Sequence, residues 1–398
     1  MSLKRWRTYS LEYSDLPTMV CNVADLLEHL GLYIGGKKRE IPILSVIWTV
    51  FSVITYFYVY VFSILWYVFW RKTHDPVVDA VLLSLACACI IGLLKLFFLL
   101  FTSKHVQNTI QIYLSYDKRI CRDSRMYQRL VKNLRVIKRR ASTIWILLVV
   151  NGALYCLMPL LLPGRHLAED TLVIYGLEPM FETPNYEIAH ILFWITIMLT
   201  VYCSGSIAAL LITLSGYVEA QMITLSEEML DLWKDALALP VEDGQDVDKL
   251  RNLFIKRQLE SIIQAHAANL CLIRLTESMF SNAIALEFCL LGMALIAELL
   301  GGIENEYIEI PYALNQVSMD CFTGQRLMEA SLMFNEAVYS CKWENFDATN
   351  MKTVLLILKN SHTMVLSAGG VAQLSYTSLM SVIKSIYSAF MALRSTMN

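Results

Sequence analysis

Apolar residues in this chain neither alternate nor recur every third or fourth position. They run unbroken, between polar stretches rich in Lys and Arg, for the ~20 positions that carry a helix across a hydrocarbon core. The first run, 41–69, holds no charged residue and closes on Trp66, Tyr67 and Trp70, an aromatic belt of the kind found at a membrane interface. A second, 77–101, carries Asp79 and Lys95. A third, 141–162, is stopped by Pro163 and Gly164, and a fourth, 188–218, is uncharged. A fifth, 278–300, contains Glu287 and Glu298, and the last, 364–393, is interrupted only by Lys384. Between these two lies 308–327, whose Asn315, Gln316, Asp320 and Gln325 make it too polar to assign by hydropathy alone.

Charge placement decides that segment. With a seventh span there and the N-terminus inside, the stretches 1–40, 102–140, 219–275 and 326–363 carry 27 of the 33 Lys and Arg, and the opposite side carries four. Basic loops stay cytoplasmic, so this asymmetry favours seven spans over six. The expectation is an all-α polytopic membrane protein of seven transmembrane helices, N-terminus cytoplasmic and C-terminus extracellular. Composition agrees: 56% hydrophobic and 17% charged residues, with a mean hydropathy of +0.49, exclude disorder and an ordinary cytosolic enzyme. A net charge of -2 gives no basic surplus for nucleic acid. Residues 1–40 lack the apolar core of a secretory signal. A G-protein-coupled receptor runs the other way through the membrane, and the last span has no Asn-Pro-x-x-Tyr. Asp117-Lys118-Arg119 lies past the end of the second span and reads as solvated loop.

Catalytic chemistry is not written in the chain. The seven histidines are scattered without metal-ligand spacing, the ten cysteines form no CxxC pair, and no Gly-rich phosphate loop opens a strand–helix unit. No enzyme and no cofactor are expected. Glu287 and Glu298 are the candidates for an intramembrane proton relay, although Glu287 alone would not make one. The last span is more informative. Gln373, Thr377, Ser381, Lys384 or Ser385, and Ser388 recur every three or four residues and share a helix face, while Leu374, Leu379, Val382, Ile386 and Phe390 fall elsewhere. Extending the stripe adds Ala392 and Ser395. A polar stripe in a membrane helix serves either hydrogen bonding between helices or the lining of a pore. Lys384 lies too deep to snorkel and is expected beside a lumen rather than on it. Glu169, Asp170, Glu178, Glu182 and Glu187, with Glu304, Glu306 and Glu309, would either concentrate cations at an outer mouth or simply be solvated loop charge. Segments 102–140 and 219–275 read as helices continuing the spans, the latter broken by an acidic turn at 240–248. In the outer halves, Tyr155 and Met158, and Trp194, Met198 and Tyr202 at four-residue spacing, suit packing, lipid contact or a mostly apolar ligand pocket.

The C-terminal third resembles the insect odorant receptor family. The residues that carry the resemblance are Cys321-Phe322-Thr323-Gly324-Gln325, Ser331, Ala337-Val338-Tyr339-Ser340-Cys341-Lys342-Trp343, Ala368-Gly369-Gly370 and Ser381-Val382-Ile383-Lys384-Ser385-Ile386-Tyr387-Ser388-Ala389-Phe390. The first two-thirds match in layout. The resemblance implies the odorant-binding subunit of a heterotetramer formed with the family's odorant receptor co-receptor. That assembly is a ligand-gated, non-selective channel for permeant cations, in the lipid of the plasma membrane of olfactory sensory neurons. The chain lacks the long loop before span five of the co-receptor, and so resembles a ligand-tuning subunit. A metabotropic or gustatory-type receptor without its own pore is the alternative. Three parts are implied: 1–325 as the bundle of spans one to six with cytoplasmic helical extensions, 326–363 as a cytoplasmic anchor, and 364–398 as the pore-lining last helix. A small volatile odorant would bind in the outer half among Gly152, Tyr155, Met158, Trp194, Ile195, Met198, Tyr202, Tyr312 and Gln316. Ser381, Ser388, Ala392 and Ser395 would line the pore, with its gate near the last three.

Overall fold

The structure, a computed structural model, describes residues 8–34, 43–70, 76–240, 246–301 and 309–397. The chain is mostly helical, at 81%. The elements are α1 (Leu16–Glu28), α2 (Ile43–Trp70, with a π-helical turn at Phe57–Phe62), α3 (Pro76–Phe101), α4 (Ser103–Asp117) and α5 (Arg125–Leu161). They continue with α6 (Asn185–Leu237), α7 (Val247–Gly301), α8 (Glu309–Tyr339), α9 (Ala348–Asn360), the strands β1 (Ser367–Ala368) and β2 (Ala372–Gln373), and α10 (Tyr376–Met397). Among the described residues five helices, α2, α3, α5, α6 and α7, are long and apolar enough to cross a membrane. The helices α8 and α10 occupy the two other expected spans and are more polar. Glu304, Glu306, Arg71 and Lys72 lie outside the described residues, as do the side chains of Glu298 and Glu309.

Helix α6 is the axis of the bundle. Its most apolar window is 83% buried, against 28% for α2 and 22% for α5. Small residues make that possible, because Cys203-Ser204-Gly205-Ser206, Ala208-Ala209, Gly216 and Ala220 let neighbouring helices approach closely. The helices packed on α6 turn large apolar side chains outward: Ile43, Leu44, Ile47 and Trp48 on α2, and Ile146, Leu147, Val150 and Leu154 on α5. A continuous apolar belt of that size needs lipid to cover it. Hydroxyls on α6 satisfy themselves along the helix, Thr200 donating to Thr196 O at 3.0 Å, Ser215 to Leu211 O at 2.6 Å and Thr224 to Ala220 O at 2.8 Å.

The expected helical extensions are present. The helices α5, α6 and α7 run far beyond any hydrocarbon core, and their basic and acidic residues face one another there. Arg125 pairs with Glu228 at 2.7 Å and with Asp235 at 2.5 Å, and Arg129 pairs with Glu228 at 2.9 Å and with Asp231. The first part of the chain is held by Lys138, whose ammonium donates to the carbonyls of Thr8 at 2.7 Å, Ser10 at 2.6 Å and Tyr13 at 2.6 Å. At the same level α9 is tied in through Asn350, which donates to Asn252 O at 2.9 Å, and through Phe346, 6.0 Å from Trp233.

The last element departs from the expectation. Helix begins at Tyr376, not at 364, and residues 367–373 form a two-stranded antiparallel hairpin with Ser367 opposite Gln373 and Ala368 opposite Ala372. Gly369 and Gly370 take φ of +61° and +70°, left-handed backbone that turns the chain where a helix would have to continue. Gln373 therefore leaves the polar stripe of the helix.

Packing of α5 on α6 depends on Gly216: a Cβ there would lie 2.3 Å from Ile137 Cγ2. That methyl belongs to a β-branched side chain with little rotamer freedom. Gly216→Ala is expected to lower stability by about 1–3 kcal/mol, measured as thermal unfolding in detergent, with Ile137→Ala in the same chain recovering part of the loss.

Candidate functional site

Two cavities lie within the bundle, and the residues expected to form one pocket are divided between them. The first is small, about 60 Å³, and enclosed by α3, α5, α6 and α8. Leu85, Ala88 and Cys89 come from α3; Gly152 and Tyr155 from α5; Ile197, Thr200 and Val201 from α6; Tyr312 and Ala313 from α8. The second, about 530 Å³, lies between the end of α1, α2, α5 and α6, and is lined by His29, Trp48, Thr49, Trp194, Ile195, Met198 and Tyr202. Residues 194, 198 and 202 do share a face of α6, as their spacing predicts, but it is a different face from that of 197, 200 and 201. Gly152, Tyr155 and Tyr312 are brought together; Trp194, Ile195, Met198 and Tyr202 gather in the other cavity; Met158 and Gln316 line neither. Gln316 is buried one turn from Tyr312, with a side-chain oxygen that no described group reaches. Thr200, Leu85 and Ala88 are among the lining residues that the sequence did not single out. They carry no spacing signal, because each is an ordinary apolar or hydroxyl residue within its helix.

Gly152 sets the width of the small cavity, since a Cβ on it would come within 2.8 Å of Val201 Cγ1. Tyr155 turns its hydroxyl to Glu169, a buried carboxylate from the loop that follows α5. That loop is a folded cap, with Glu169 buried, Asp170, Glu178 and Glu182 exposed on it, and Glu187 exposed just beyond it. Leu167, Leu172 and Ile174 are buried in it, Tyr175 stacks edge-on against Trp66 at 5.1 Å, and Tyr186 donates to His166 O at 3.0 Å. Asp170 accepts from Leu167 N at 2.7 Å and pairs with His166 at 2.7 Å.

Beneath the small cavity sits a group of charges that the sequence left apart. Lys95 of α3 is ion-paired with Glu287 of α7 and lies 3.7 Å from Asp320 of α8, with side-chain exposures of 8%, 0% and 1%. Glu287 thus meets Lys95, which also faces a second carboxylate. The single ammonium offsets only one of the two carboxylates at a time, and breaking such a buried pair costs about 3–5 kcal/mol.

The last helix has two unlike faces. Leu379, Val382 and Ile386 pack on Leu291 and Leu295 of α7 and on Val317 and Cys321 of α8. Ser381, Lys384, Ser388 and Ala392 line an open groove on the opposite face, and Ser395 is exposed beyond it. Lys384 lies in the same groove as Ser381 and Ser388. The start of this helix is seated by the Cys321–Arg326 stretch. Gln325 accepts from Tyr376 N at 3.4 Å, and Phe322 lies 6.4 Å from Tyr376 with Arg140 over its other side at 5.5 Å. Gly324 has no room for a side chain, a Cβ there falling 2.3 Å from Leu374 O. Arg326 reaches Glu219 of α6 at 3.3 Å, and Arg140 of α5 pairs with the same carboxylate.

The sequence model of the 7tm odorant receptor family matches residues 75–387, and the chain belongs to that family, one of receptors and channels rather than enzymes. Its fold is similar to that of the insect olfactory receptor OR5 from Machilis hrabei, with a TM-score of 0.70 at 12% identity over 95% of this chain and 98% of that one. It is equally similar to the same receptor in complex with eugenol, with a TM-score of 0.73 at 12% identity, covering 96% and 98%. No curated protein matches it in sequence.

The cap makes a prediction. The hydrogen bond to Asp170, reinforced by the carboxylate's charge, raises the pKa of His166 above its ordinary value of 6.5. Folded-state protonation is favoured, so the contribution of this pair is complete below the ordinary value and is lost as pH rises through the raised one. Hydrogen exchange of residues 163–184, corrected for its intrinsic pH dependence, should therefore quicken as pH rises above about 6.5. In His166→Gln that extra quickening should be gone.

Proposed function

We propose that this chain is the odorant-binding subunit of a heteromeric, ligand-gated, non-selective cation channel, opened when a small volatile enters the small cavity between α3, α5, α6 and α8. One observation supports the reading above others. The last helix is packed by its apolar face on α7 and on α8, the second of which also lines the cavity, and presents Ser381, Ser388 and Ala392 on an open face. In this reading copies of α10 from several subunits turn that face to a common axis, with the gate near Ser388, Ala392 and Ser395 and with Lys384 at the lumen wall. The partner is the odorant receptor co-receptor, completing a heterotetramer in the plasma membrane of olfactory sensory neurons. The chain has seven spans, N-terminus cytoplasmic, with α8 and α10 crossing as helices whose polar residues face protein or water. Residues 1–325 form the bundle, 326–363 the cytoplasmic anchor through the inner part of α8 and α9, and 364–398 the hairpin and pore helix.

A related receptor that holds eugenol supports a ligand of that size, with an apolar body and a few polar groups. Gly152, Tyr155 and Tyr312 are its contacts, and Gln316, one turn deeper, supplies a hydrogen-bond acceptor when the ligand reaches it. Trp194, Ile195, Met198 and Tyr202 line the neighbouring cavity on the lipid side, through which an apolar ligand dissolved in the membrane would pass.

The test is voltage clamp on cells expressing this chain alone, the co-receptor alone, and both, with G-protein signalling blocked. A volatile-evoked cation current confined to the pair is expected; a response abolished by the block would establish the metabotropic alternative. In the responding pair, thiol reagents should alter current through chains carrying Ser388→Cys, Ala392→Cys or Ser395→Cys. No effect at all three would remove the pore assignment. Gly152→Val should raise the half-activating concentration of the bulkiest active ligands about tenfold, ~1.4 kcal/mol, while sparing the smallest. Trp194→Ala should change sensitivity for all ligands together and leave their rank order intact.

A further inference from the structure

Two helices, α3 and α8, both line the small cavity and carry buried charges beneath it. On α8 the order is Tyr312 and Ala313 at the cavity, Gln316 one turn on and Asp320 two turns on, all on one face at four-residue spacing. On α3 the cavity residue Ala88 lies two turns before Lys95. Between Tyr312 and Asp320 the next face of α8, Ala313, Val317 and Cys321, packs against Leu291 of α7 and Ile386 of the last helix. The charges therefore sit between the cavity and the helix that carries the open polar face.

Their geometry is unequal. Lys95 is in close contact with Glu287, while Asp320 stands at 3.7 Å, and the oxygens of both carboxylates have no hydrogen-bond donor among the described residues beyond that ammonium. One ammonium thus serves two buried carboxylates on two different helices. Low dielectric makes each pairing strong and makes an intermediate position, shared by neither, unfavourable, which is how a packed interior gains two discrete arrangements rather than a continuum. Above the charges the cavity walls are held mainly by dispersion contacts, which yield more readily than an ion pair.

Building on the ligand-gated reading above, we propose that Lys95 is a latch between Glu287 and Asp320: ligand entry displaces Tyr312 and tilts α8 about Asp320, Lys95 shifts its pairing between the two carboxylates, and the turn of Val317 and Cys321 moves the last helix. Lys95, Glu287 and Asp320 are positioning residues; they set how occupancy of the cavity is converted into movement and do not choose the ligand.

The experiment uses the full chain co-expressed with the co-receptor, with surface expression measured in parallel. Asp320→Asn keeps the shape and removes one of the two competing charges. It is expected to shift the half-activating concentration about tenfold for every active volatile alike, to change the current in the absence of ligand, and to leave the rank order of ligands unaltered. Gly152→Val, by contrast, changes that order. Wild-type dose–response curves and resting current in Asp320→Asn at normal surface expression would overturn the latch. If that variant does not reach the surface, Asp320→Glu, which keeps the charge and lengthens its reach, carries the same two criteria. A second readout separates this proposal from the channel reading. Labelling of Met391→Cys on the last helix by a thiol reagent should change rate when a volatile binds, and that change should shrink in Asp320→Asn. A wild-type chain without current but with ligand-dependent labelling would sink the channel reading and keep the latch. Ligand-dependent labelling of equal size with and without Asp320→Asn would sink the latch alone.

Discussion

Hydrocarbon offers no hydrogen-bond partner, so every polar group that these helices carry into it must be met inside the protein. Much of the architecture follows from that constraint. The hydroxyls of Thr196, Thr200 and Ser215 return to carbonyls of their own helix. Tyr113 bonds Thr276 at 2.6 Å, joining α4 to α7. Lys95, Glu287 and Asp320 find one another from three helices, and Tyr155 meets Glu169 where the cap closes over the outer end of the bundle. The same constraint bears on α8, which falls outside the five helices apolar enough to cross a membrane. Gln316 and Asp320 are buried within the bundle, Asp320 within reach of Lys95.

The uninterrupted apolar runs were legible because a lipid-facing helix has no reason to alternate. Helices were expected at 77–101, 188–218 and 278–300, and helices stand there, the last two extended into the charged ends that the basic and acidic clusters foretold. The start of the last helix was not legible. Residues 364–375 are apolar enough to read as membrane helix, yet Gly369 and Gly370 turn them into a hairpin whose Leu374 is buried against Gly324. Hydropathy measures the medium a segment prefers, and a segment folded back into protein prefers the same medium as one in lipid.

The candidate site was legible in its parts and not in its grouping. Spacing correctly put 194, 198 and 202 on one side of α6, but one sequence does not say which neighbour that side meets. Helix α6 is packed on nearly all sides, so its faces serve different cavities. Likewise Lys95 and Glu287 were each conspicuous as charges within apolar runs, while their pairing spans nearly two hundred positions and has no local signature. The stripe on the last helix was the easier reading because both of its faces lie within one element, and the packing of Leu379, Val382 and Ile386 agrees with it.

On the proposed reading, the size of the inner cavity bears on how recognition and opening are linked. At about 60 Å³ it is far below the ~300 Å³ at which small-molecule pockets begin. A volatile therefore cannot be accommodated by filling space that is already there; Val201, Tyr312 or the helices behind them have to give way. A ligand shifts an equilibrium only by the difference in its affinity for the two states, and a cavity too small in one state makes that difference large for any ligand that fits the other. Selectivity then rests less on polar contacts within the cavity than on which shapes repay the displacement of α8 from α3 and α5. A broad range of apolar ligands can bind such a site weakly. Only those that hold the helices at the separation where the last helix is released will open it, so binding strength and efficacy part company at the same few side chains.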